Sequence, residues 1–316
     1  MGENEKLRTI QAKFFSVLRN KNFGEERLAT QVADLTGVSQ STAYKKIRCD
    51  SPLTAREYMV LSSHFGVSLD ALVLPSDTDF LVRRPNYIRS EKHIIEYLSA
   101  TANELKRLSS VPHDFYYSAR DLPVFLFFTS EPLIRFKIAV WLSELSEGKD
   151  FSHYYGIISR DLLTACKSFY NGYKALNRTE IWSQNTMDNL AHQIKYYNEI
   201  GQLKDREVNE LNTEIIKLLD FVMLNMKQSE EDGKPWEIYE ADFLMMASNG
   251  LVLTPKKSVA YISYAGINYL RVEQNEFCKD LESSFIKQKA NATSLVASRK
   301  SRVLFFNQLK QRFQDT

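Results

Sequence analysis

The sequence predicts a mainly α, α+β protein in two units: five short helices within residues 1–74, then a larger helical region over 88–316 with a small antiparallel sheet near its C-terminus. Three observations carry that expectation. Apolar residues recur at helical spacing along the chain, whereas alternation with a period of two gathers after Trp236. The stretch 75–87, with Pro75, Pro85 and the polar run Ser76, Asp77, Thr78 and Asp79, has the composition of a linker. A length of 316 residues exceeds the usual size of one domain, so more than one core is expected.

In the first unit, Leu7, Ile10, Phe14 and Val17 mark an amphipathic helix from Lys6 to Arg19, and a second helix runs from about Glu25 to Leu35. Thr36, Gly37 and Val38 form a tight corner, because glycine accepts the left-handed backbone that such a turn needs. Ser39 caps a third helix that reaches about Arg48. After a break from Cys49 to Pro52, Thr54 and Glu57 stand at capping-box spacing and open a fourth helix carrying Tyr58, Leu61 and Phe65. Gly66 ends it, and Ser68 caps a last turn bearing Leu69 and Leu72.

The second unit opens with a helix from about Ser90 to Leu108, whose face of Ile94, Leu98, Leu105 and Leu108 suits packing ahead of dimerisation. An aromatic, partly extended stretch follows over Asp114–Phe128, then helices at about Pro132–Leu145, Tyr155–Tyr173, Thr186–Ile200 and Asp205–Met226. The last of these holds only about two heptads, too few for a coiled coil, and reads as half of a helical hairpin. Ser229–Gly233 reads as a loop, with a possible sub-boundary at 229–235. Beyond Trp236, Asn249 and Gly250 form a hairpin-turn pair between Glu237–Ala247 and Leu251–Leu253, and alternation continues through Val259–Tyr264 and Tyr269–Val272. Two helices close the chain, at about Asn275–Gln288 and Lys300–Phe313, the second presenting Val303, Phe306, Leu309 and Phe313.

Composition narrows the function classes. The apolar stretch Leu122–Leu142 is interrupted by Glu131, Pro132, Arg135 and Lys137 and reads as core, so no membrane partner is expected. Met1–Lys13 is mostly polar and charged, unlike a secretory leader, which predicts a cytoplasmic protein. Cys49, Cys166 and Cys278 are too few and too scattered for a disulfide framework or a zinc site. Phosphate-binding glycine loops, HExxH, GxSxG and paired CxxC are all missing, and the five histidines lack metal-ligand spacing. Neither an enzyme nor a cofactor is therefore expected. Net charge is +2, so a nucleic-acid surface would depend on local placement of basic groups.

The most informative stretch is Arg27–Leu72. Leu28 and Ala29, the Gly37–Val38 corner, the helix Ser39–Arg48, then Leu53, Thr54 and Glu57, and the closing FGVSLDAL from Phe65 together resemble the helix-turn-helix domain of the XRE family, the lambda repressor and Cro-like transcriptional regulators. The resemblance implies a five-helix lambda-repressor-like fold, double-stranded DNA as partner, and Ser39–Arg48 as the recognition helix in the major groove. Gln40 and Ser41 match the base-reading glutamine and serine of those repressors, and a Gln amide pairs bidentately with adenine. Ser39 and Thr42 share the short polar chemistry that base edges require, and Tyr44 and Lys45 come next as readers. Lys45, Lys46 and Arg48 gather at the helix end as phosphate contacts. Thr30 and Gln31, on the preceding helix, are weaker phosphate candidates, because Ala29 replaces the glutamine that often opens it.

One position departs from the motif. Lys46 stands where an aliphatic residue is usual, with Ile47 just after, so the helix is either rotated or extended by a residue. Past residue 75 the chain resembles, more loosely, uncharacterised helical regions of larger bacterial regulators, through SARDLPVF at Ser118 and LIRFKIAVW at Leu133. The expected whole is a transcriptional regulator that binds DNA as a homodimer, with a C-terminal region that dimerises or senses an effector. The alternatives are a protein-interaction module localised by its DNA-binding domain and an unfamiliar enzyme with such an appendage. The aromatic group Phe115, Tyr116, Tyr117, Phe125, Phe127, Phe128, Trp141, Tyr154 and Tyr155 suits core packing first and an effector pocket second.

Overall fold

A computed structural model describes residues 3–20, 25–73, 82, 88–145, 150–156, 158–228 and 235–314. Two compact units divide the chain, Met1–Leu81 and Val82–Thr316. The expected linker 75–87, apart from Val82, and the expected loop Ser229–Gly233 lie outside the described residues.

Among the described residues of the first unit there are five helices: α1 (Glu3–Asn20), α2 (Glu25–Thr36), α3 (Gln40–Ile47), α4 (Ala55–Phe65) and α5 (Asp70–Val73). Their core joins Phe14, Phe15 and Leu18 to Leu28, Val32, Ala43, Ile47, Leu61 and Phe65. The buried stripe of α1 is Gln11, Phe14, Phe15 and Leu18, which leaves the expected Leu7 and Val17 exposed at 55% and 36%. A glutamine on the inward face is what displaced the expected stripe. Gly37 and Gly66 hold left-handed φ values of 72° and 59°, and Thr54 with Glu57 forms the reciprocal capping box.

In the second unit, α6 (Glu91–Leu108) leads to β1 (Asp114–Ala119), a 3-10 turn (Val124–Thr129), α7 (Glu131–Leu145), α8 (Phe151–Tyr155), α9 (Arg160–Lys174) and β2 (Arg178–Trp182). Next come α10 (Asp188–Glu199), α11 (Asp205–Gln228), β3 (Trp236–Glu240), β4 (Gly250–Leu253), β5 (Ser258–Ala265), β6 (Asn268–Val272), α12 (Asn275–Ala290), β7 (Thr293–Ser294) and α13 (Arg299–Gln311). The strands form one seven-stranded mixed sheet in the order β6-β5-β4-β1-β2-β3-β7. Parallel pairs join β1 to β2 and β2 to β3, through helical crossovers of the kind that parallel strands need.

The protein is mainly α with β present, but the small antiparallel C-terminal sheet of the sequence reading is corrected. β1 falls in the stretch Asp114–Phe128 read as partly extended, β2 falls between two expected helices, and together they form the middle of the sheet. β1 gave only a partly extended reading, because Phe115, Tyr117 and Ala119 are buried on one face while buried Ser118 interrupts the alternation on the other; β2 was hidden because it carries Arg178 and Glu180 at buried positions. The Asn249–Gly250 pair does not close a hairpin, since β1 and β2 separate β4 from β3. The hairpins are β4–β5 and β5–β6 instead.

Alternation along the strands divides the second unit's interior. Phe115, Tyr117, Trp182, Trp236 and Ile238 face a large core with α6, α7, α9, α11 and α13. Ile181, Leu251, Ala260 and Val272 face a smaller core closed by Cys278, Leu281 and Phe285 of α12. The face expected on α6 packs inward, and Phe125 stacks at 4.2 Å on Tyr173 and 4.9 Å on Phe169, so most of the aromatic group is core. Among the described residues, no helix is long and apolar enough to cross a membrane.

Candidate nucleic-acid interface

The corner between α2 and α3 is built from backbone hydrogen bonds. Gly37 N and Val38 N both donate to Ala33 O, at 2.9 and 3.2 Å, which turns the chain sharply at the end of α2. Ser39 then adopts an extended conformation, and its hydroxyl accepts from Thr42 N at 3.3 Å, capping α3. That hydroxyl also lies 3.0 Å from Ser41 Oγ and 2.9 Å from Thr42 Oγ1, so Ser39 and Thr42 are occupied in starting the helix.

Helical spacing sorts the remaining candidates. Ala43, Lys46 and Ile47 face the core, while Gln40, Ser41, Lys45 and Arg48 are exposed and Tyr44 is half-buried beside them. Thr30 is exposed on α2 and joins this group, because Gln40 Nε2 donates to Thr30 Oγ1 at 3.3 Å. The contact ties the first residue of α3 to the helix before it. Arg48 lies 6.0 Å from the Tyr44 ring centroid. Gln31 is set apart: it is half-buried, and its Oε1 is sealed from solvent without a hydrogen-bond partner.

Lys46 is corrected as a phosphate contact. It is only 6% exposed, and its ammonium donates to Pro52 O at 2.8 Å and to Glu57 Oε2 at 2.9 Å. The same carboxylate accepts from Thr54 N at 2.7 Å, so Lys46 bonds to the group that caps α4. Burial by itself would raise the Glu57 carboxyl, but the Thr54 and Lys46 hydrogen bonds outweigh it and hold the group below its ordinary range. No rotation or extension of α3 is needed: Ile47 reaches the core beside Lys46, whose stem packs inward while its charge ends on buried acceptors.

Two residues that the sequence reading passed over shape this region. Gln11, 3% exposed, donates from Nε2 to Lys46 O at 2.7 Å and Ser51 O at 2.8 Å, and its Oε1 accepts from Leu53 N at 3.0 Å. Arg19 Nη2 donates to Ile47 O at 3.3 Å. The signal for Gln11 was its place on the stripe of Phe14, Phe15 and Leu18, where a polar side chain needs a buried partner.

No protein-family model, curated protein or solved structure matches the chain. The likeness of Arg27–Leu72 to the XRE family is a reading of those residues alone.

The second unit offers less at its surface. A cleft of about 330 Å³ lies between the 3-10 turn and α9, lined in part by Ser130, Ile134, Leu163, Lys167 and Tyr170. A neighbouring cleft of about 450 Å³ is lined by Arg135, Tyr155, Glu207 and Glu210 among others. Among the described residues, no group of three or more His, Cys, Asp or Glu is placed to hold a metal ion. Its most concentrated polar chemistry is interior: fully buried Glu180 accepts from Trp182 Nε1 and Trp236 Nε1, each at 2.8 Å, and from the Tyr173 hydroxyl. Arg178 lies 4.0 Å from the Trp236 ring centroid and 4.3 Å from that of Tyr173.

Proposed function

We propose that the first unit is an XRE-type helix-turn-helix domain that binds double-stranded DNA, and that the protein is a sequence-selective transcriptional regulator. The outward row of α3, Gln40, Ser41, Tyr44, Lys45 and Arg48, carries this reading, because one face of a short capped helix joins base-reading groups to cations. Gln40 and Ser41 read base edges, with Gln40 steadied by Thr30. Lys45 and Arg48 contact phosphates and release counterions. A unit this small makes few base contacts, so the reading includes a homodimer on two half-sites, with the second unit dimerising or sensing an effector.

Selection of bound duplexes from a randomised pool by the full-length protein tests the proposal. The expected result is an enriched site whose affinity falls steeply with salt. Gln40→Ala should cost about 1–3 kcal/mol on that site and relax preference at one base pair. Lys45→Ala should weaken all duplexes alike and reduce the salt slope by about one. Failure to enrich any sequence at low salt would sink the reading.

A further inference from the structure

We propose that Gln11 is a positioning residue for DNA readout, holding the recognition helix in register from behind without touching DNA; this rests on the DNA-binding reading above. A helix end leaves its last carbonyls without intrahelical partners. Arg48 N and Asp50 N take those of Tyr44 and Lys45, at 3.0 and 2.8 Å. Lys46 O receives Cys49 N at 3.0 Å and the Gln11 amide as well, and Ile47 O receives Arg19, so two of the four are reached by side chains of α1.

Gln11 does more than close one carbonyl. A single primary amide has two N–H groups and one oxygen, and all are spent on backbone between residues 46 and 53. These three points are the end of α3, the middle of the following loop and the approach to α4. Ala43 and Ile47 set how deep α3 sits, but apolar contact is non-directional and lets a two-turn helix slide or tilt. The flexible Lys46 stem and Arg19 each add bonds at this end, but the short Gln11 amide alone ties the end of α3, the loop and the approach to α4 through one planar group. The outward row is carried on the same two turns, so a shift at Lys46 O moves Gln40, Ser41, Lys45 and Arg48 together.

The test compares full-length wild type with Gln11→Met, which keeps volume and loses all three bonds, and Gln11→Glu, which keeps the acceptor for Leu53 N and loses both donors. Affinity is measured for the duplex selected by the wild type and for a scrambled duplex at low salt. Each protein is held below its melting transition, with trimethylamine oxide added where needed to keep it folded. The expected result is a fall of about tenfold in the selected-to-scrambled affinity ratio for both variants, with scrambled binding within about twofold of wild type. A residue that only stabilised the fold would lower both affinities by the unfolded fraction and leave the ratio intact. An unchanged ratio in folded Gln11→Met would overturn the inference and leave the DNA-binding reading standing; a wild type that prefers no duplex would overturn both.

Discussion

Each unit buries a basic and an acidic residue, and the two pairs are built on opposite plans. In the first, Lys46 and Glu57 meet directly at 2.9 Å, and each also bonds to nearby backbone, Pro52 O and Thr54 N. In the second, the Glu180 oxygens accept from neutral donors, a tyrosine and two indoles, while Arg178 lies against aromatic rings with Nε and Nη1 lacking hydrogen-bond partners. The carboxyls respond in opposite directions. Glu57 is held below its ordinary range, whereas burial pushes Glu180 up against the opposing pull of Arg178 and its donors. The charges at the helix boundary meet each other and adjacent backbone, whereas the carboxyl in the centre of the sheet is held by side chains of α9, β2 and β3.

Breaking the interior network should have the largest effect. Glu180→Leu leaves two indole N–H groups and a phenol without their acceptor and the Arg178 charge without its nearby carboxyl, and should cost about 3–5 kcal/mol of second-unit stability. All three tryptophans, Trp141, Trp182 and Trp236, lie in this unit, so denaturant unfolding followed by tryptophan fluorescence reads it alone. Adding Arg178→Met should recover much of the loss by removing the stranded charge. An unchanged midpoint in the single variant would mean that the network contributes nothing net.

The first-unit pair should cost less to break. Lys46→Met keeps the stem in the core but leaves Pro52 O and the Glu57 carboxylate each short of a donor, for about 1–3 kcal/mol. Faster amide hydrogen exchange across the first turn of α4 checks this. The Glu57 carboxyl should also move up toward its ordinary value, readable by carbon-detected titration.

These buried polar groups also explain what the sequence disclosed and what it concealed. Ser39, Gly37, Gly66 and the Thr54–Glu57 box act within a few residues of themselves, so the first unit's corners and caps were legible. Periodicity misled wherever a long polar side chain took an inward position. Gln11 displaced the expected face of α1, and Lys46 gave the impression of a shifted α3. On α13 buried Arg302 reaches Leu295 O, and its neighbour Val303 is 39% exposed. In β2 the inward Arg178 and Glu180 break the apolar alternation that marks a strand, because the donors to Glu180 arrive from α9 and β3 as well as from Trp182. The outward row of the candidate interface could be listed from the sequence, but the burial of Lys46 could not, because Pro52 and Glu57 become its partners only after the chain turns.

Acid should separate the two carboxyls more gently. Glu57 has a folded value below the ordinary 4.5, so its contribution to the first unit is present above about pH 4.5 and is lost as pH falls through the folded value. Glu180 has a folded value above 4.5, so its contribution is full below about pH 4.5 and is lost as pH rises through the folded value. Glu57→Gln should therefore flatten the acid limb of first-unit stability, and Glu180→Gln should remove a rise in second-unit stability on acidification. The same sign of change in both would show that the environments do not differ as described.

The smallest effect should come from the backbone beside the Lys46–Glu57 pair. Cys49 follows α3 with φ at 63°, a left-handed conformation held by a residue that has a Cβ. The cost of that conformation is about 1–2 kcal/mol. Glycine would relieve it but lose about 0.5–1 kcal/mol through its freer unfolded chain. Cys49→Gly should therefore raise first-unit stability by about 0.5 kcal/mol, a small net of two opposing terms. Nothing in the hydrogen bonding of Gln11, Lys46 or Glu57 uses the thiol, so the gain should appear with the exchange pattern of α3 and α4 unchanged. A loss of stability would show that the half-buried thiol contributes packing worth more than the relieved strain, and would make this end of α3 dependent on side-chain contact as well as on its backbone bonds.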